Sequence, residues 1–281
     1  MTTSKDIPMR SNSFDPTHAR RRCKNFRRRI LDISQTVGAI HAAPAFSCLE
    51  SVDVIYNELM RRNSEDALID RFLMSKGHGC MSQYVVLEEL GIITPEDLDQ
   101  YNKPGGFLGT HPDYGAPGIE ASTGSLGHGL GMAAGMAYAS KLQNEDSRLF
   151  CLVGDGEMQE GSIWEAIMMA PNLGLDNLIV FLDFNDFQGL GRTTETHPHF
   201  MPMTEKVASF GWETDEVNGH DAKAIYDAVV GREGKKPFFL VCHTVKGKGV
   251  SYMENVPIWH YRAPNPEEYK QAIEELREIS S

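Results

Sequence analysis

Gly154-Asp155-Gly156-Glu157, read with Asp183-Phe184-Asn185-Asp186-Phe187-Gln188, is the stretch on which the fold turns. The first segment ends an apolar run from Leu149 to Val153, the second ends an apolar run from Leu178 to Phe184, and a helix-like segment lies between them. That pattern is one β-α-β unit of an α/β fold. Crossovers of this kind are right-handed and join parallel strands, so both strands deliver their last residues to the same sheet edge, where open α/β folds bind ligands. Asp155 and Asn185 are therefore expected to be neighbours. A carboxylate and an amide oxygen suit a hard cation such as Mg²⁺, which takes six oxygens and fills its remaining positions with phosphate and water. Glycines on both sides of Asp155 let the backbone come close to a bulky anion. The residues thus point to a metal-bridged diphosphate site, although Asp-Gly alone is also a common turn.

The chain has 281 residues, 41% of them apolar, enough for one large α/β domain or two small ones, and no internal boundary is visible. A net charge of −12 argues against nucleic acid or an anionic membrane as the main partner. An anionic ligand must then be held locally. Cys23, Cys48, Cys80, Cys151 and Cys242 are scattered, odd in number and never in a C-x-x-C pair, which supports neither a disulfide framework nor a zinc knuckle. They read as reduced thiols of a cytoplasmic protein. No apolar run approaches the roughly 18 residues of a membrane span, and the first residues lack the apolar core of a signal peptide.

Residues 1–18 are polar and carry Pro8 and Pro16, so a flexible arm is expected there, followed by a single domain over 19–281. Arg20 to Arg29 holds seven basic residues in ten, but Phe26, Ile30, Ile33 and Val37 fall on one helix face, which favours a solvated or interfacial helix over a nucleic-acid patch. Val52 to Met60 repeats the helical period. Arg71 to Met74 reads as a short strand whose exit carries Ser75-Lys76-Gly77-His78-Gly79. Thr94-Pro95-Glu96-Asp97 is a helix start. From Lys103 to Gly118, three prolines and five glycines mark an irregular loop that holds His111, and long ordered loops are commonly functional. Ser122 to Gly135 matches neither G-x-G-x-x-G nor the P-loop pattern. Its small residues suit tight helix packing, and a helix beginning at Gly124 and Ser125 would also offer free amides to a phosphate. The stretch 191–199 reads as loop, with His197-x-His199 a weak metal candidate. A helix follows from Met203, another runs through Val230, and a strand spans Phe238 to Val245. Trp259-His260-Tyr261-Arg262 is an aromatic and basic cluster in a loop. Asn265-Pro266-Glu267-Glu268 starts the last helix.

Taken together, these blocks resemble the transketolase family. Gly154 to Gly161, Trp164-Glu165-Ala166 and Asp183-x-Asn185-x-x-Gln188 look like its thiamine-diphosphate motif. Ser75 to Gly79, Gly109 to Pro112 with Thr123 to Gly129, and Thr244 to Gly249 with Trp259-His260 agree with it in order, over about residues 30 to 270. The resemblance implies a thiamine-diphosphate-binding fold, a central mostly parallel sheet with helices on both faces. It implies that Asp155, Asn185 and the carbonyl of Phe187 bind Mg²⁺ or Ca²⁺. His78, Gly124, Ser125, Leu126, Gly156, Glu157 and His260 would contact cofactor or adjacent substrate. His78, His111 and His260 would handle substrate hydroxyls and protons, and Glu160 would sit in a carboxylate network at the dimer interface, with Glu165 near it. Only the diphosphate-binding domain is matched. The resemblance therefore implies one half of a split transketolase, completed by a second subunit with the pyrimidine-binding and C-terminal domains in an α2β2 assembly, and inactive alone.

One departure stands out. Where the family carries a Gly-His-Pro-Gly segment, this chain reads Ile40-His41-Ala42-Ala43-Pro44-Ala45-Phe46-Ser47, which puts Pro44 at the histidine's place and His41 three residues away. Ser125 replaces a proline common in the family. Three readings follow from the sequence: a two-subunit enzyme moving a two-carbon ketol unit between sugars, a relative moving an acyl group from an α-keto acid, and a non-catalytic subunit that keeps the fold.

Overall fold

A computed structural model describes residues 14–277. Helix α1 (Pro16–Ser34) starts on Asp15, whose carboxylate accepts from the backbone of Thr17 and His18. The helix thus begins inside the stretch expected as an arm, and residues 1–13 of that stretch lie outside the described residues. Helix α2 (Ala42–Val54) runs on through a π-helical turn, Ile55–Leu59, so the helix read at Val52 starts ten residues earlier. Strand β1 (Arg71–Met74), a 3₁₀ turn at Gly77–Gly79, α3 (Cys80–Glu89) and α4 (Pro95–Asp99) follow. Then come α5 (Gly129–Leu142), β2 (Leu149–Gly154), α6 (Gly161–Asn172) and β3 (Leu178–Phe184). Beyond β3 the chain forms a small hairpin of β4 (Phe187–Gln188) and β5 (Gly191–Arg192), then α7 (Thr193–Thr196) and α8 (Met203–Ala208). The chain continues with β6 (Glu213–Asn218), α9 (Ala222–Gly231), β7 (Phe238–His243) and α10 (Pro266–Glu275).

Five strands form one sheet in the order β1-β2-β3-β7-β6, every neighbouring pair parallel. Side chains alternate across it with the period of two that strands impose. Phe150, Leu152, Ile179, Phe181 and Leu240 pack under α1, α2, α3, α9 and α10. Leu149, Cys151, Val153, Val180, Leu182 and Val241 pack on α5, α6 and α8. The expected α/β fold with helices on both faces is therefore present. The registers Met74–Leu152, Gly154–Asp183 and Phe184–His243 bring four strand exits to one edge.

Three arginines of the basic segment form a seam between helices. Arg22 pairs with Asp53 at 2.7 Å and Glu58 at 2.6 Å, Arg27 with Glu50 at 2.7 Å, and Arg29 with Glu88 at 2.7 Å and Asp99 at 2.9 Å. Half-buried or buried arginines neutralised by acids of α2, α3 and α4 are not offered to phosphates. Helix α5 begins at Gly129, not at Gly124, because Gly124 and Gly127 sit at φ of 128° and 90°, outside the helical region.

Glycines within α5 do different jobs. A Cβ on Gly129 would lie within 2.7 Å of Ser75 Cα, whereas one on Gly131 would meet nothing within 4 Å. Gly129→Ala should therefore lower unfolding stability by about 1–3 kcal/mol through overpacking, while Gly131→Ala should raise it by roughly 0.5–1 kcal/mol through helix propensity. Urea denaturation of the two variants checks both signs.

Candidate active site

At the edge where β1, β2, β3 and β7 end, the first charge to be settled is Asp183. It is buried, and its carboxylate accepts from Lys76 Nζ, Thr244 Oγ1, Ser47 Oγ at 2.6 Å and Asn185 Nδ2 at 3.0 Å. Burial pushes the Asp183 carboxyl up, but the Lys76 ammonium and the hydrogen bonds outweigh it and hold the carboxyl below its usual range. Lys76 Nζ also reaches the carbonyl of Pro44 at 3.2 Å. These contacts lock the β1 exit, the first turns of α2, the β3 exit and the β7 exit to one another.

Beside this lock lies a cavity of about 230 Å³, lined by Pro44, Lys76, His78, Leu126, Gly154 to Glu157, Asn185, Phe187 to Gly189, Lys246 and His260. Asp155 and Asn185 thus face one space, as the β-α-β reading required. Asp155 accepts from Gly156 N at 2.9 Å and Thr193 Oγ1 at 3.0 Å. Burial first, and the Asp183 charge second, push its carboxyl up to about 7. A cation beside this carboxylate would favour its charged form. The Asn185 amide oxygen accepts from Phe187 N at 3.0 Å and keeps a second lone pair. Gly156 leaves a cradle: a Cβ there would lie 3.3 Å from Gln188 Cα and 3.7 Å from the Phe187 carbonyl oxygen. Three oxygens of these kinds suit a divalent cation carrying a diphosphate.

Glu157 is fully buried, and its oxygens accept from Ser75 Oγ at 2.6 Å, Gly127 N at 2.9 Å and Gly154 N at 3.2 Å. Its carboxylate ties the turn to the β1 exit. Gly124 packs against His111, where a Cβ would come within 2.8 Å of the ring, and Gly77 packs on Gly124 in turn. Leu126 lines the cavity and Ser125 is exposed outside its lining. With α5 starting at Gly129, the Gly124-Ser125 segment is a packed loop rather than a helix N-terminus. Glu160 and Glu165 are exposed at the start and on the outer face of α6, away from the cavity. His197 and His199 line a separate cavity with Trp164 and Met203. Among the described residues no group of three or more His, Cys, Asp and Glu side chains is placed to hold a metal.

The histidines gather. Ring centroids of His78 and His260 are 5.3 Å apart, and His41 lies 6.0 Å from His78, 5.6 Å from His111 and 5.3 Å from His260. Burial first, then neighbouring cations, hold His260 down to about 3 and His78 well below its ordinary value. Burial first, and then His111 and the two lysines, hold His41 down to about 4. These three rings are neutral at physiological pH.

The family described as transketolase, thiamine diphosphate binding domain, matches residues 19–276. The chain belongs to the transketolase family. It is 40% identical over 257 residues to a subunit of the apulose-4-phosphate transketolase of Phocaeicola vulgatus, covering 90% of this chain and 91% of that one. It is 37% identical to a subunit of the 6-deoxy-6-sulfo-D-fructose transketolase of a Clostridium species, over 85% of this chain and 89% of that one. The solved transketolase of Leishmania mexicana superposes with a TM-score of 0.83 at 26% identity, covering 96% of this chain but 42% of that one. The chain thus spans about two-fifths of the full-length transketolase structure.

Two site residues of this transketolase domain were not singled out from the sequence. Lys76 stands between the recognised Ser75 and His78, and Lys246 opens a glycine-rich strand exit, so position was the available signal for both. Lys246 Nζ lies 3.0 Å from His260 Nδ1 and 3.1 Å from the Gly189 carbonyl, and burial first and Lys76 second lower it to about 8. It brings a cation to the cavity in a chain of net charge −12.

Removing one partner of a buried ion pair strands the other, so Lys76→Met should destabilise the chain by about 3–5 kcal/mol. Lys76→Met with Asp183→Asn should lose clearly less than the sum of the single variants, a coupling read from a double-mutant cycle in denaturant. The histidines predict a pH effect. Folded His78 and His260 stay neutral while unfolded histidine takes up a proton below about pH 6.5, so the native state loses stability as pH falls from there towards the depressed folded values. Thermal midpoints of the wild type should drop by several degrees between pH 6.5 and about 5, and those of His78→Gln with His260→Gln by visibly less.

Proposed function

We propose that this chain is the diphosphate-binding subunit of a two-subunit, thiamine-diphosphate-dependent transketolase that moves a two-carbon ketol unit from a ketose donor to an aldehyde acceptor. The observation that carries the reading is the convergence of Asp155, Asn185 and Phe187 on a cavity that His78, His260 and Lys246 also line. Two similar relatives, each covered over about nine-tenths of its own length, are themselves named as single subunits of transketolases.

In this reading residues 19–281 form one cofactor-binding domain. Asp155, Asn185 and the Phe187 carbonyl hold Mg²⁺ or Ca²⁺, whose charge neutralises the buried carboxylate and fixes the diphosphate. His78, Leu126, Gly156, Lys246 and His260 line the path of the diphosphate and the reacting end of the substrate, while Glu157 and Gly124 shape it from behind. When bound, thiamine diphosphate supplies a nucleophilic carbon able to take up a ketol unit and release it to an aldehyde. Neutral imidazoles at His78 and His260 each present one donor and one acceptor to sugar hydroxyls, and with His111 they hold or move protons there. Glu160 sits at the dimer interface in a carboxylate network, with Glu165 near it. A companion subunit supplies the pyrimidine-binding and C-terminal domains, and pairs of subunits associate as α2β2. Support for a second copy comes from the open face of α5 and α6, where Gly131 and Gly135 are uncovered and Met168, Met169 and Leu142 are about half or more exposed. Five free, buried thiols suit a cytoplasmic location.

Titration of the complex of this chain and its companion with thiamine diphosphate in Mg²⁺ should show binding that disappears in Asp155→Ala or on chelation of the metal. Undiminished cofactor retention in Asp155→Ala would refute the metal assignment. A donor screen of ketose phosphates against pyruvate should give turnover with the sugars; turnover with pyruvate alone would replace ketol transfer by acyl transfer.

A further inference from the structure

The candidate metal site is assembled from two strands: Asp155 stands just past β2, Asn185 and Phe187 just past β3. The register between those strands ends at Gly154 and Asp183, so the oxygens beyond it need restraints of their own. Asn185 has them, since its amide nitrogen donates to Asp183 at 3.0 Å and to Ser47 Oγ at 3.2 Å while its oxygen accepts from Phe187 N. Asp155 Oδ1 accepts from Gly156 N at 2.9 Å. Gly156 is the next residue, so that bond turns with the aspartate and fixes nothing relative to β3. Among the described residues one side chain hydrogen-bonds the Asp155 carboxylate, and it comes from 38 residues away: Thr193 Oγ1 donates to Oδ2 at 3.0 Å.

Thr193 is delivered by the hairpin that starts on the other side of the site. Strands β4 and β5 set Phe187 opposite Arg192, whose guanidinium lies 4.9 Å from the Phe187 ring centroid and 3.0 Å from the Asp186 carboxylate. Thr193 N donates to the Asp186 carbonyl at 3.2 Å, and Thr194 N to the Asp186 carboxylate at 2.9 Å. Asp186 sits between Asn185 and Phe187 in the chain. The segment carrying two of the three candidate oxygens is therefore tied directly to the residue that grips the third. Thr193 is itself fully buried, and its hydroxyl has no other acceptor among the described residues. A hydroxyl facing a charged carboxylate donates to it, and the carboxylate oxygens keep lone pairs for a cation.

We propose that Thr193 is a positioning residue for the divalent cation, closing a clasp from Asn185 and Phe187 onto Asp155 so that the three oxygens keep one arrangement. This assignment rests on the metal reading above. Its consequence is selectivity through rigidity: Mg²⁺ is small and demands near-ideal octahedral geometry, whereas Ca²⁺ accepts flexible sites. A carboxylate released from the clasp and free to swing would still serve Ca²⁺ and would serve Mg²⁺ badly.

The test titrates Mg²⁺, and separately Ca²⁺, into the complete two-subunit complex with thiamine diphosphate in excess, and reads each metal Kd by calorimetry. Thr193→Val keeps the shape and removes the donor; it should raise the Mg²⁺ Kd by about 10- to 100-fold, the usual effect of losing a partner that orients a metal ligand. The Ca²⁺ Kd should rise clearly less. Thr193→Ser keeps the donor and should stay near the wild type. Should Thr193→Val fail to fold, Thr193→Ala stands in for it with the same expectations. An unchanged Mg²⁺ Kd in Thr193→Val overturns the proposal and leaves the metal assignment standing. Equal losses for Mg²⁺ and Ca²⁺, or a loss in Thr193→Ser as large as in Thr193→Val, also overturn it, because Thr193 then only packs the loop. A wild-type complex that takes up neither ion, or unchanged uptake of both in Asp155→Ala, removes the metal assignment and this inference with it.

Discussion

A buried carboxylate must be answered from every side, and Asp183 imposes that demand on four chain segments at once. Lys76 comes from the β1 exit, Ser47 from α2, Asn185 from beyond β3 and Thr244 from beyond β7. Leaving such a charge unpaired would cost several kcal/mol, so the four segments have little freedom to part. Each then carries a site residue within a few positions: His78 after Lys76, His41 before Ser47, Phe187 after Asn185, and Lys246 after Thr244. Asp183 does not line the cavity, yet it sets where the lining residues stand.

The same lock sorts the charges. Lys76 is spent on Asp183, which leaves Lys246 as the lysine whose ammonium lies against the histidines at the cavity. Asp155, one strand over, has no lysine or arginine in hydrogen-bond contact, only Gly156 N and the Thr193 hydroxyl. One pocket therefore offers a carboxylate at the β2 exit and a lysine beyond the β7 exit, on either side of β3. In the proposed reading a metal-bound diphosphate would satisfy both, so that an acidic chain would hold an anionic cofactor without a basic surface.

Much of this was legible in the sequence because it depends on short-range pattern. The runs Leu149–Val153 and Leu178–Phe184 are buried on both faces, and such strands read as continuous apolar stretches. Strand β6 escaped because Glu213–Asn218 lies at the sheet edge with most of its side chains partly or fully exposed, so it has no apolar signature. The β4–β5 hairpin escaped because two-residue strands leave no periodicity. The start of α5 was misplaced because small residues from Gly124 onward fit a helix by composition, whereas Gly124 and Gly127 take positive φ values and pass close to His111 and to Glu160 with Ser162, contacts that composition does not show. The ion pairs of Arg22, Arg27 and Arg29 were equally hidden, since Asp53, Glu58, Glu50 and Glu88 become their partners only when the helices pack.

The histidine cluster shows where matching positions one by one stops being informative. Aligned on Asp53, the chain puts proline where its family has a histidine, which reads as a lost group. Space is not measured in alignment columns. Three residues along a helix advance about 4.5 Å, less than the length of a histidine side chain, and His41 stands at the N-cap, where the chain has already left the helical path. Tied to the His260 segment through Ile40 and Tyr261, it places an imidazole in the group from a different backbone position. The chain thus carries an imidazole in this group even though its alignment column at Pro44 lacks one.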